Sequence, residues 1–199
     1  MAISAKQFEE MQKRLSGTRK PAPAVPASSP RASFETVLGI DPSLRGTGYG
    51  IIRLGKMAPT LVAQGTIACS AGWERSRCLA HIAQTIRSVL KQHHPQACVV
   101  EGLFYAQNLQ TALIMGEARG AALATIAEAN VPIHEIAARK VKQAIVGYGA
   151  AQKSAVARMV QRMLQLAEPP APDAADALAL ALAFANETRR PWLGAPKKI

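Results

Sequence analysis

The chain has 199 residues, 49% hydrophobic and 19% charged, which suits one globular domain with a real core and excludes a disordered or fibrous chain. Twenty-four Lys and Arg against thirteen Asp and Glu leave a net charge of +11, which points to a polyanionic partner, nucleic acid before membrane. The most apolar stretch, Ala174 to Ala185, is too short to span a bilayer and contains Asp176; aromatics at 5% provide no wide stacking platform for single strands.

Residues 1–34 read as a flexible basic N-terminal tail and linker. Phe8, Met11 and Leu15 sit at helical spacing, but charges are spread through the segment and no apolar signal core precedes a cleavage site. Lys20 to Pro30 is rich in Pro, Ala and Ser, the composition of an extended linker. A DNA-tethering or partner-docking arm is the functional alternative to a plain solvated tail. The pattern then changes. Thr36 to Ile40 is a short apolar run that reads as a buried strand ending on Asp41, and Pro42 to Gly46 has turn chemistry. Thr47 to Leu54 and Leu61 to Cys69 read as the second and third strands. Trp73 to His93 carries Leu79, Ile82, Ile86, Val89 and Leu90 in a helical stripe, closed by Pro95. Ala97 to Val100 is a fourth buried strand, ending on Glu101. Asn108 to Ala129 is helical, with small residues at Gly116 and Gly120, and Val131 to Ile136 is a fifth strand. Helices follow at Ala137 to Ile145, Ala151 to Leu166 and Asp173 to Asn186. A hairpin first and alternating helices and strands after it predict an α/β domain over residues 35–188, a five-stranded mixed sheet flanked by helices, with a basic tail over residues 189–199. Cys69, Cys78 and Cys98 form no Cys-x-x-Cys pair and read as thiols in a reducing, cytoplasmic setting.

The carboxylates carry the chemistry. Asp41 and Glu101 each follow directly on an apolar strand, and in open α/β sheets sites lie beyond strand ends. Asp173 and Asp176 lie three apart at the start of the last helix, on one face. Four converging carboxylates repel one another unless a cation sits among them. Hard divalent ions such as Mg2+ take carboxylate oxygens, and a pair of such ions is the usual device for in-line attack on a phosphodiester. Taken singly, each acid has a plainer role: Asp173 and Asp176 suit a helix cap, Asp41 a turn before Pro42, Glu101 a solvated strand end. Against the cap, Leu178 to Phe184 is apolar on all sides, so Asp176 enters a helix that must be buried.

Val37-Leu-Gly-Ile-Asp-Pro-Ser-Leu-Arg-Gly-Thr-Gly-Tyr-Gly50 resembles the opening motif of the RuvC family of crossover junction endodeoxyribonucleases, as does Glu101-Gly-Leu-Phe104 followed by Asn108. Gly116 to Gly120, Ala137 to Gln143, Gly147 to Ser154 and Asp173 to Leu178 match further blocks in the same order, so the resemblance spans about Val37 to Asn186. It implies an RNase H-like fold and a homodimer that nicks four-way DNA junctions symmetrically, leaving 5′-phosphates, in recombination and repair. It implies that Asp41, Glu101, Asp173 and Asp176 hold Mg2+, two ions per site with Mn2+ as a substitute. Lys142 and Lys153 match lysines near the scissile phosphate, and Phe104 an aromatic that stacks on an unpaired base. The helix with Gly116 and Gly120 resembles the dimer-forming one, and the branch-migration proteins RuvA and RuvB are the implied partners. Ser43 and Gly102 depart from the family pattern, which commonly has Gly and Gln there.

On the residues alone, Lys142 and Lys153 also suit solvated surface positions, and Phe104 the core. Gly147 to Ser154 lacks the second Gly that a phosphate loop needs before Lys-Ser, since Gln152 stands there. Two rival functions belong to other classes. An actin-like ATPase shares a strand–turn–strand with an Asp but needs a second domain around the nucleotide. A catalytically silent junction-binding protein predicts loss of a carboxylate, and all four are present.

Overall fold

A computed structural model describes residues 34–102, 108–189 and 196–199. Its sheet is built from β1 (Thr36–Asp41), β2 (Gly46–Leu54), β3 (Pro59–Ala68), β4 (Ala97–Glu101), β5 (Ile133–Ile136) and β6 (Lys197–Lys198), in the order β3-β2-β1-β4-β5-β6. The first three strands form an antiparallel meander; β4 lies parallel to β1 and β5 parallel to β4, while β6 runs antiparallel to β5. Among the described residues five helices cover the sheet: α1 (Arg75–His93), α2 (Leu109–Glu128), α3 (Ala138–Val146), α4 (Lys153–Met163) and α5 (Pro172–Arg189).

Strand alternation divides the core in two. Leu38, Ile40, Cys98, Val100 and Ile133 point to the face covered by α1 and α2. Val37, Ala97, Val99 and Ile136 point to the opposite face, covered by α3, α4 and α5. By the same alternation Asp41 and Glu101 belong to the α5 face.

The helix α5 is the spine of that second core. Ala174, Ala175 and every residue from Ala177 to Ala185 are buried. Burying Leu178, Leu180, Leu182 and Phe184 contributes roughly 1.5–3 kcal/mol each. The helix lies on the backbone of β1 and β2 because glycines leave room for it. A Cβ at Gly39 would sit 1.9 Å from the Ala177 carbonyl oxygen, and one at Gly48 2.0 Å from that of Asp173. No side chain fits such gaps, so these motif glycines serve helix–sheet approach, and that approach sets the first turn of α5 over the end of β1.

The sheet has six strands where the sequence predicts five. Lys197 and Lys198, read as part of a basic tail, pair with Glu135 and His134, and the Ile199 N–H donates to the Ile133 carbonyl at 3.0 Å. Two exposed lysines carry no hydrophobic alternation, so backbone bonding alone makes this edge strand. Phe34, assigned by sequence to the tail, packs its ring 5.6 Å from Phe184 and 5.9 Å from His134. The remainder of the N-terminal tail lies outside the described residues. All three cysteines are buried and free. Among the described residues no helix is long and apolar enough to cross a membrane.

Candidate active site

The β1–β2 turn is fixed by backbone chemistry. The buried Thr47 hydroxyl donates to the Ser43 carbonyl at 2.6 Å and accepts from the Ser43 N–H at 3.1 Å. Both bonds use the main chain of residue 43, so the departure at Ser43 leaves the turn intact. Arg45 pins the same turn from outside: its Nη1 donates to the Ser70 carbonyl, to the Trp73 carbonyl at 3.2 Å and to Cys78 Sγ at 3.2 Å. The departure at Gly102 is equally mild. A Cβ there would meet Glu135 side-chain atoms at 3.4–3.5 Å, the upper edge of tight contact.

Asp41 ends β1 and Glu101 ends the neighbouring parallel strand β4, so both carboxylates leave the same end of the sheet. Asp173 stands in the first turn of α5, and Asp176 follows one turn on. A Cβ on Gly46 would come within 2.8 Å of Asp173 Oδ2, so the carboxylate of Asp173 lies against the start of β2. Lys153, at the start of α4, donates from Nζ to Asp176 Oδ2 at 2.6 Å.

The electrostatics tie these groups into one site. Burial, then repulsion from Glu101 and Asp176, raises the Asp41 carboxyl from 3.8 to about 7; Asp173 adds to the rise and Lys153 opposes it. Glu101 is also raised, by burial first and by Asp176 next, with Lys153 and Lys142 pulling it down. The Lys153 ammonium is held above its usual value, chiefly by its bond to Asp176. Thus Asp41 is coupled to Glu101, Asp176, Lys153 and Asp173, and Glu101 to Asp176, Lys153 and Lys142. Phe104 lies outside the described residues. Among the described residues no three acidic, His or Cys side chains close around a point that would cage a metal ion. Chemically the set still fits a hard divalent cation. All four donors are carboxylates, and one of them is pushed to about 7 by burial first and then by the negative charge of its neighbours, which Lys153 opposes without cancelling.

Sequence reasoning missed Thr47 and Arg45, which hold the turn behind Asp41. A small hydroxyl four residues after Ser43 is the one local signal for the first; Arg45 bonds residues 25 to 33 positions away and leaves no local trace.

An antiparallel meander continued by parallel strands, with acidic side chains at the ends of β1 and β4 and on a helix lying across them, defines an RNase H-like nuclease. The model of the family described as crossover junction endodeoxyribonuclease RuvC matches residues 37–184. The RuvC of Vibrio cholerae is 42% identical over 156 residues, covering 78% of this chain and 90% of its own length. That of Bordetella parapertussis is 42% identical over 150 residues, covering 75% and 82%. Among solved structures, Thermus thermophilus RuvC in complex with a Holliday junction substrate superposes with a TM-score of 0.76 at 34% identity, covering 83% of this chain and 99% of that one. The yeast mitochondrial resolvase Ydc2, at 11% identity and a TM-score of 0.55, shares the fold. The chain belongs to the RuvC family of crossover junction endodeoxyribonucleases, which are in general metal-dependent nucleases.

Proposed function

We propose that the protein resolves Holliday junctions, cutting two strands of a four-way DNA symmetrically by phosphodiester hydrolysis and leaving 5′-phosphate ends. The observation that carries this reading is the half-buried acidic site itself, in which Asp41 is raised to about 7, set in a chain of net charge +11. A basic surface gathers a polyanion, and an acidic centre has use for a phosphate only through cations.

In this reading Asp41, Glu101, Asp173 and Asp176 hold two Mg2+ ions, with Mn2+ as a substitute. Ions held by these four residues would supply an activated water and charge stabilisation of the leaving 3′ oxygen. The chain's own residues do the rest. Lys153 neutralises Asp176 before metal and DNA arrive; its side chain is 76% exposed, free to turn to the scissile phosphate once the acids are otherwise balanced. Lys142, near enough to act on Glu101, adds a second positive charge beside that phosphate. Phe104 stacks on an unpaired base at the crossover.

Two symmetric cuts call for two sites related by a two-fold axis. The outer face of α2 supplies a contact for a second copy. Leu109 and Leu113 are 74% and 59% exposed, and among the described residues nothing lies within 4 Å of a Cβ built on Gly116 or Gly120. These four residues, spaced 4, 3 and 4 apart, form one stripe on which two helices can approach closely. Branch-migration proteins of the RuvA and RuvB kind are the expected partners, in the cytoplasm.

The test is a nicking assay on a synthetic four-way junction with Mg2+. Paired nicks that a ligase reseals are expected. Equal affinity for linear duplex and junction, with no Mg2+-dependent nicks, would contradict the proposal.

A further inference from the structure

The motif Gly116 to Gly120 contains a residue that neither the site nor the dimer stripe uses. Arg119 is 6% exposed, inside α2, and pairs with Glu135 on β5. Arg119 Nη2 donates to Glu135 Oε2, while Nη1 is buried with no partner among the described residues. An ion pair with one partner buried and the other half-buried is a weak device for stability, because desolvation offsets most of the attraction. Its placement suggests another use.

Glu135 lies beside Val100 in the parallel ladder, and Glu101 lies beside Ile136. The Gly102 N–H donates to the Ile136 carbonyl at 2.9 Å, and the Glu135 side chain lies against the Cα of Gly102. Burial pushes the Cys98 thiol of β4 up, and the Arg119 charge opposes that rise. The pair therefore ties α2 to β5 where the Glu135 side chain flanks Gly102, the residue that follows β4, while Glu101 lies by strand alternation on the opposite face, toward the acidic site. The same helix carries, at Gly120, the stripe offered to a second copy.

We propose that Arg119 and Glu135 form a positioning clamp that fixes the end of β4, and with it the Glu101 carboxylate, to the seating of α2. This rests on the nuclease reading above. The clamp touches neither DNA nor the scissile phosphate. Its loss lowers turnover and raises the Mg2+ needed for half-maximal nicking, and leaves junction affinity unchanged. A displacement of about 1 Å at a catalytic group costs on the order of 100-fold in rate.

The test replaces both partners together, Arg119→Met with Glu135→Met, which removes both charges and keeps apolar bulk. Melting temperature, junction Kd in chelator by fluorescence anisotropy, nicking rate under single turnover and the Mg2+ midpoint are measured. The expected result is melting within a few degrees of wild type, Kd within twofold, nicking down at least tenfold and a raised Mg2+ midpoint, with Arg119→Lys recovering most of the rate. Wild-type nicking by the double variant overturns the clamp, as does a fall in rate matched by an equal fall in affinity. Should the double variant fail to fold, Glu135→Gln decides by the same readings: reduced turnover at unchanged Kd supports the clamp, and wild-type turnover overturns it. Absence of nicking by the wild-type protein would instead remove the nuclease reading.

Discussion

Replacing Asp41 by Asn should stabilise the metal-free protein, and by an amount that grows with pH. In the native state the Asp41 carboxyl is raised from 3.8 to about 7 by burial and by Glu101, Asp176 and Asp173. Between those two values the native chain keeps a proton that the unfolded chain has lost. Stability is therefore full below about 3.8 and falls as pH rises through about 7. The whole gap corresponds to on the order of 4 kcal/mol, of which roughly 1.5 kcal/mol has been lost by about pH 5. Asn does not titrate and carries no such loss. Denaturant unfolding in chelator should then show Asp41→Asn more stable than wild type, with the difference about 2 to 3 kcal/mol larger at about pH 8 than at about pH 5. Millimolar Mg2+ at the higher pH should close the gap, because the wild-type site binds the ion in the native state alone. A difference that does not change with pH, or a variant less stable than wild type at about pH 8, would refute the electrostatic account of the site.

Lys153→Met removes the cation that opposes the rise of both Asp41 and Glu101. It should lower stability in chelator at pH 8 more than at pH 5, by unfolding, and slow nicking at least tenfold. Gly39→Ala puts a Cβ against the backbone of α5 at 1.9 Å and should cost about 3 kcal/mol or more, whereas Gly102→Gln, with its nearest neighbour at 3.4 Å, should stay within about 0.5 kcal/mol of wild type; thermal melts check both. Gly120→Arg places a charge on the open face of α2 and should give folded monomers by analytical ultracentrifugation that nick junctions poorly; a dimer of unchanged strength would discard this face as the interface.

The elements that place the acids were legible because each ends in a change of chemistry. Thr36 to Ile40 and Ala97 to Val100 are wholly apolar, and the acid that follows each marks the strand end. The uniform apolarity of residues 177–185 announced a helix buried on every side, which it is. The strand ends and the three-residue spacing made it legible that the acids could converge, but not how closely, because pattern does not reveal how far a helix sinks onto a sheet. That depth depends on Gly39 and Gly48 meeting the carbonyls of Ala177 and Asp173, contacts more than a hundred residues apart. Arg45 and Arg119 were invisible as structural residues for a related reason. Each is a charge in a basic chain, and only its distant partners show that Arg45 braces a turn from the surface and that Arg119 is held inside. The strand β6 and the anchoring of Phe34 escaped because two lysines and one ring after a linker carry no periodicity.

The central claim is that four carboxylates serve the chemistry and not the grip on DNA. It is tested most directly by measuring junction affinity and Mg2+-dependent nicking side by side for Asp41→Asn, Glu101→Gln, Asp173→Asn and Asp176→Asn. Each variant should bind the four-way junction at least as tightly as wild type, since a phosphate-repelling charge is gone. Each should nick about a thousandfold more slowly or worse, on the order of 4 kcal/mol of barrier. A helix-capping role for Asp173 and Asp176 predicts instead about 1 kcal/mol of lost stability with nicking nearly intact. Full nicking by Asp41→Asn would contradict the account outright.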